Sequence, residues 1–183
     1  YQSELVGALA PGAETPVQIG GGWNAAAKTP AIVERDGVAH AVFGTDHPQT
    51  RPQLHYAFRD ADGVWSDELV TDVRSGHAGL AAYRDRVVIA VAQTMDTTYP
   101  TVVLAERTEE GWSLTRRFDD GRHTRRPNAA FGPDGTLHLV YQRNEGGVEE
   151  LRYTALALGG EWSEPLVLDG HAARVGTTFV RLL

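Results

Sequence analysis

The 183-residue sequence predicts an all-β fold: a small β-propeller of four blades, each of four antiparallel strands, with residues 1–183 forming a single domain. Three observations carry that expectation. A unit of about 45 residues, built of four short strand-like runs separated by turn residues, recurs along the chain. Trp-Ser pairs stand at 65, 112 and 162, spaced 47 and 50 residues apart. No apolar period of 3.6 residues appears, so helices are not expected.

The first full unit runs Ala31-Ile-Val33, a turn at Asp36-Gly37, Val38 to Phe43, a polar loop from Thr45 to Pro52, Leu54 to Phe58, a turn at Asp60 to Gly63, and Trp65 to Val70. The second runs Ala81-Ala-Tyr83, a turn at Asp85, Val87 to Ala92, a loop from Thr94 to Pro100, Val102 to Ala105, a turn at Glu109 to Gly111, and Trp112 to Thr115. The third runs Asn128 to Phe131, a turn at Pro133-Asp-Gly135, Thr136 to Tyr141, a loop from Arg143 to Gly147, Leu151 to Leu158, Gly159-Gly160, and Trp162 to Leu168. Each strand alternates or is rich in branched apolar residues, and each turn carries Asp or Gly.

The chain ends read as pieces of one more unit. Ser3 to Ile19 can be laid on Leu151 to Leu168, which makes it the third and fourth strands of a blade, and Ala173 to Leu183 reads as a first strand. The expected fourth blade is therefore shared by both termini, which closes the ring and leaves no raw sheet edge. The alternative is a piece of a longer propeller, or a ring assembled from several copies.

At 42% apolar and 22% charged residues, the chain is long enough to bury a core and fold alone. A net charge of −7 argues against a nucleic-acid partner, since phosphate binding needs clustered positive charge. The absence of cysteine excludes disulfides and thiolate metal sites. No run reaches the ~18 apolar residues of a membrane span. The chain starts at Tyr1 without the basic-then-apolar layout of a signal peptide. It is expected to be soluble, cytoplasmic or secreted after signal removal, with no membrane partner and with a homodimer allowed.

The wording of the repeats resembles the BNR or Asp-box propeller family of sialidases and sialidase-like proteins. The matching residues are Asp134-Gly135, His138, Tyr141, Leu151, Tyr153, Gly160, Trp162 and Ser163. They recur as Asp36-Gly37, His40, Phe43, Leu54, Tyr56, Gly63, Trp65 and Ser66. The resemblance covers nearly the whole chain and implies the fold. Sialidases of the family use six blades and an arginine triad with a Tyr/Glu pair, which the loops here do not match.

Site residues are expected at the end of the ring where the inner strands begin. The connections into those strands read Asp72 to His77, Asp119 to His123 and Asp169-Gly-His171, with Gly20 to Trp23 in the fourth place. His77, His123 and His171 stand 46 and 48 residues apart, and three imidazoles converging near the axis would hold one metal ion (Zn, Cu, Ni or Fe) with a position open for substrate or water. The other reading is a structural one, in which repeated histidines bond blade to blade, as expected for His40 and His138. Lys28, Arg125, Arg126 and Arg174 would form a cationic collar for a carboxylate or other small anion, with Trp23 covering an apolar ring. His47, Asp96, Tyr99 and Glu145 on the facing loops are candidates for acid or base work.

The leading functional expectation is a metal-dependent enzyme of Lewis-acid type acting on a small anionic or aromatic metabolite, with the reaction undetermined. The alternatives are a carbohydrate-binding propeller with pockets between blades built on Tyr56, Tyr153 and the tryptophans, and a protein-interaction scaffold.

Overall fold

The computed structural model describes residues 28–45, 53–72, 75–94, 99–118 and 123–169. They form twelve strands and no helix. The first sheet holds β1 (Lys28–Arg35), β2 (Val38–Thr45), β3 (Gln53–Arg59) and β4 (Trp65–Thr71). The second holds β5 (Ser75–Tyr83), β6 (Arg86–Gln93), β7 (Thr101–Thr108) and β8 (Gly111–Phe118). The third holds β9 (His123–Phe131), β10 (Leu137–Glu145), β11 (Val148–Leu156) and β12 (Leu166–Asp169). Each sheet is an antiparallel meander in chain order. Residues 1–27 and 170–183, on which the expected fourth blade falls, lie outside the described residues.

The strand β5 packs between β1 and β9, so the first strands of the three sheets form an inner layer. Two cores lie between successive sheets. Val42, Leu54 and Tyr56 meet Leu80, Val87, Ile89 and Val91 in one, and Val88, Ala90, Val102 and Leu104 meet Ala129, Leu137, Leu139 and Tyr141 in the other. Successive side chains of β6 thus enter opposite cores, which is why this strand reads as an unbroken apolar run, where β2 carries a histidine at the level of Val88.

Side-chain oxygens set the turns. Asp60 Oδ1 accepts from the backbone N–H of Asp62 at 3.0 Å and of Val64 at 2.8 Å, and Asp134 Oδ1 accepts from Thr136 N–H at 3.0 Å. The serine of the third Trp-Ser pair locks the outer segment in place: Ser163 Oγ accepts from Ala155 N–H at 3.0 Å, and Ser163 N–H donates to Ala155 carbonyl oxygen at 2.8 Å.

Two segments differ from the sequence expectation. The predicted loop from Arg143 is strand as far as Glu145, because Arg143 and Asn144 find partners on both sides in β9 and β11, and the reversal is confined to Gly146-Gly147 with positive φ. The predicted strand from Trp162 begins only at Leu166; Pro165 lacks the N–H that a ladder needs, and Trp162 keeps a single bridge to Leu156.

Each inner strand carries a bulge in its first half. Lys28 pairs with Gly44 and Ala31 with Val42; Ser75 pairs with Gln93 and Ala78 with Val91; Arg125 pairs with Gln142 and Asn128 with Val140. Two residues, Thr29-Pro30, Gly76-His77 or Arg126-Pro127, therefore stand opposite one on the neighbouring strand. Arg126 takes a φ of 50°, in the left-handed region that a side chain disfavours.

Candidate functional site

The inner-strand starts His123 and Ser75, and the facing ends of β6 and β10, share one end of the blades. The second and third blades are stitched together there by Thr124. Its hydroxyl accepts from Val102 N–H at 2.7 Å and donates to the Phe118 carbonyl at 2.6 Å, while its own N–H donates to Pro100 carbonyl oxygen at 3.1 Å. This holds the loop carrying Tyr99 against β9, and the Tyr99 ring lies on the His123 ring with centroids 3.4 Å apart.

Guanidinium charge gathers beside them. Arg125 is ion-paired with Glu149, and Arg126 Nη1 donates to the neutral amide oxygen of Gln142 at 3.2 Å. Arg152 Nε and Nη2 bond Glu150 at 2.8 and 2.7 Å, with Arg143 Nη1 3.8 Å from the same carboxylate. The field is felt by His77, half-buried on the neighbouring strand: burial, and then Arg126 and Arg125, hold its pKa below the ordinary imidazole value. Arg125 is likewise lowered, by burial and by Arg126.

The expected residues are distributed unevenly. Tyr99, His123, His77, Arg125 and Arg126 come together at this end. Lys28 opens β1 and Glu145 closes β10 at the same end, with their side chains outside the described atoms. Trp23, His47, Asp96, His171 and Arg174 lie outside the described residues. Among the described residues, no group of three His, Asp or Glu side chains is placed to hold a metal ion.

The strand registers also separate two histidines that sequence spacing aligns. Leu139 and Ile89 occupy matching places, which puts Ala129 level with Leu80, Asn128 with Gly79 and Arg126 with His77, so His123 lies three residues earlier in its blade. Gly79, packed against Asn128 and Ala129, confirms that level. The offset is on the order of 10 Å along the strands.

His40 and His138 do not bond blade to blade as expected. Each bonds a tyrosine of the next strand in its own sheet: His40 Nδ1 to Tyr56 hydroxyl at 2.6 Å, and His138 Nδ1 to Tyr153 hydroxyl at 2.8 Å. Tyr56 is fully buried, and burial pushes its pKa up to about 12. Both phenols are therefore engaged within their own sheets.

No protein-family model and no curated protein sequence matches the chain. Among solved structures, a Trypanosoma rangeli sialidase in complex with sialic acid superposes with a TM-score of 0.52 at 16% identity, covering 75% of this chain and 30% of that one. The fold is that of a sialidase-like propeller. At this identity the likeness concerns architecture alone, and the sialidase-like blades span under a third of the enzyme's length. None of the described residues forms a helix long and apolar enough to cross a membrane.

Proposed function

We propose that this sialidase-like propeller binds a small carboxylate-bearing ligand, of the sugar-acid class, at the end where His77, Arg125 and Arg126 meet. The supporting observation is the pair of guanidiniums beside His77: burial first, and then Arg126 and Arg125, lower its pKa, in a chain of net charge −7. Fixed guanidiniums recognise carboxylates in forked geometry, and Tyr99 on His123 offers an aromatic wall beside them. The sialic acid held by the structural neighbour is a sugar with a carboxylate, in keeping with this class.

The same proposal includes a closed ring. In β1, Ala31 and Val33 face the second blade while Ile32 between them points the other way and is 53% exposed. Leu166, Val167 and Leu168 of β12 are also exposed. These are surfaces that a fourth blade drawn from both termini would cover.

The test is calorimetric titration with N-acetylneuraminate and glucuronate against glucose. Binding of the acids alone, weakened about tenfold in Arg126→Ala, is expected; equal binding of glucose, or indifference to Arg126→Ala, would refute the reading. A metal-dependent enzyme on His77, His123 and His171 is the second reading, supported by burial that lowers the His77 pKa and so favours the neutral form that ligates. Stoichiometric metal in untagged protein, lost in His123→Ala, would favour it over a binding module; the positive field at His77 weighs against it.

A further inference from the structure

The two clefts between successive blades are built on one plan and finished differently. In the first, Trp112 sits edge-on to Tyr56 with centroids 5.1 Å apart and donates its indole N–H to Glu68 at 3.2 Å. Arg107 makes a two-pronged bond to the same carboxylate and lies over Tyr56 and Phe58. A phenol ring, a guanidinium and a carboxylate thus plug this cleft from within.

The registers identify the corresponding places in the second cleft. Arg107 pairs with Trp112 and Leu156 with Trp162, so Leu156 replaces Arg107; Leu104 replaces Tyr56 three residues earlier. Glu68 pairs with Tyr56, whereas Arg116 pairs with Leu104, with Thr115 bulged out beside it. Every replacement removes part of the plug, and the charge opposite the tyrosine site is reversed. The result is a cavity of about 600 Å³ walled by Leu104, Leu156, Arg116 and Trp162.

Two polar groups point to what would complete it. Trp162 turns its ring onto Phe118, centroids 5.3 Å apart at 84°, and among the described residues its N–H has no acceptor corresponding to Glu68. The Arg116 guanidinium lies 5.5 Å from the Trp162 ring and has no carboxylate partner among the described residues. Arg86 and Glu106, also in the wall, neutralise each other at 2.8 Å, and Glu161 and Glu164, exposed as Arg116 is, line the cavity as well.

We infer that this cleft is a second binding site, independent of the axial one, for a small aromatic carboxylate. The ligand supplies what the first cleft supplies for itself: a planar ring against Leu104 and Leu156, and a carboxylate accepting from Arg116 and the Trp162 N–H.

The experiment is titration of the full chain with 4-hydroxyphenylacetate, followed by calorimetry and tryptophan fluorescence, with 4-hydroxyphenylacetamide and acetate as controls. Saturable binding is expected, about tenfold weaker for the amide and for Arg116→Met, and unchanged in Arg126→Ala. The triple variant Leu104→Tyr, Arg116→Glu, Leu156→Arg rebuilds the plug and should abolish binding while the protein stays folded. Equal binding of acid and amide, survival of binding in the plugged variant, loss of binding in Arg126→Ala, or no saturation by about 10 mM would overturn the proposal.

Discussion

Gly79 lies against the backbone of Asn128 so closely that a Cβ on it would stand 2.8 Å from Asn128 Cα and 2.9 Å from Ala129 nitrogen. Neither atom belongs to a flexible side chain, so the inner strands of the second and third blades would have to part. Gly79→Ala is expected to cost about 1–3 kcal/mol, as overpacking does, and Gly79→Val more. Urea denaturation measures it, and an unchanged midpoint would mean the strands are not in this contact.

Gln93 and Gln142 each stand opposite the bulge of their inner strand, each 1% exposed, but only Gln142 has a guanidinium to receive among the described residues. Both polar atoms of the Gln93 side chain lack a partner among the described residues. Gln93→Leu should therefore stabilise the protein by about 1 kcal/mol, and Gln142→Leu should destabilise it by a similar amount. Chemical denaturation of the two variants, compared side by side, separates them by sign.

Removing the Thr124 hydroxyl leaves the buried Val102 N–H without its acceptor. Thr124→Val keeps the shape and is predicted to cost about 1–3 kcal/mol. Hydrogen exchange at Val102 should quicken together with the fall in global stability; an amide as slow as in the parent would show that another group accepts it.

Glu68 serves both Arg107 and the Trp112 indole. Replacing it by Gln removes the charge from one side of that contact, at an expected cost of about 1 kcal/mol, since the pair is a third exposed. The thermal midpoint should fall at low and high salt alike if the bond is direct; recovery in high salt would indicate long-range charge instead.

His40 has its pKa lowered from 6.5 by burial and then by Arg107. The unfolded chain therefore takes up a proton near pH 6.5 that the folded state resists, so stability is fully present above that pH and declines as pH falls from it toward the folded value. His77 acts in the same direction. Thermal melts at pH 7.5 and 5.5 should show a loss that shrinks in His40→Gln. A loss of the same size in the variant would assign it to other groups.

Much of the blade was legible because its signals are local. Asp36-Gly37 and Asp134-Gly135 specify turns, and the apolar run from Val87 to Ala92 marks a strand buried on both faces. The site was legible only in part. Charge at Arg125 and Arg126 could be read from composition, but the level of His77 could not, because the bulge at Gly76-His77 shifts the strand register without leaving a spacing rule in the sequence. The second cleft is less visible still. Leu104, Leu156 and Arg116 look ordinary one at a time, and their meaning comes only from the positions they share with Tyr56, Arg107 and Glu68. Pro165 did carry a readable warning that the outer strand of the third blade starts late.

The repeated bulge in β1, β5 and β9 has a consequence for how such a molecule can be lengthened or shortened. The bend is carried inside each unit, paired only with that unit's own second strand, so inserting or deleting a whole unit leaves the local shape of every surviving mouth segment intact. What such surgery changes is the wedge between units, where Gly79 admits its neighbour's main chain, and it is therefore this joint that would govern how many units a circle of this kind can hold.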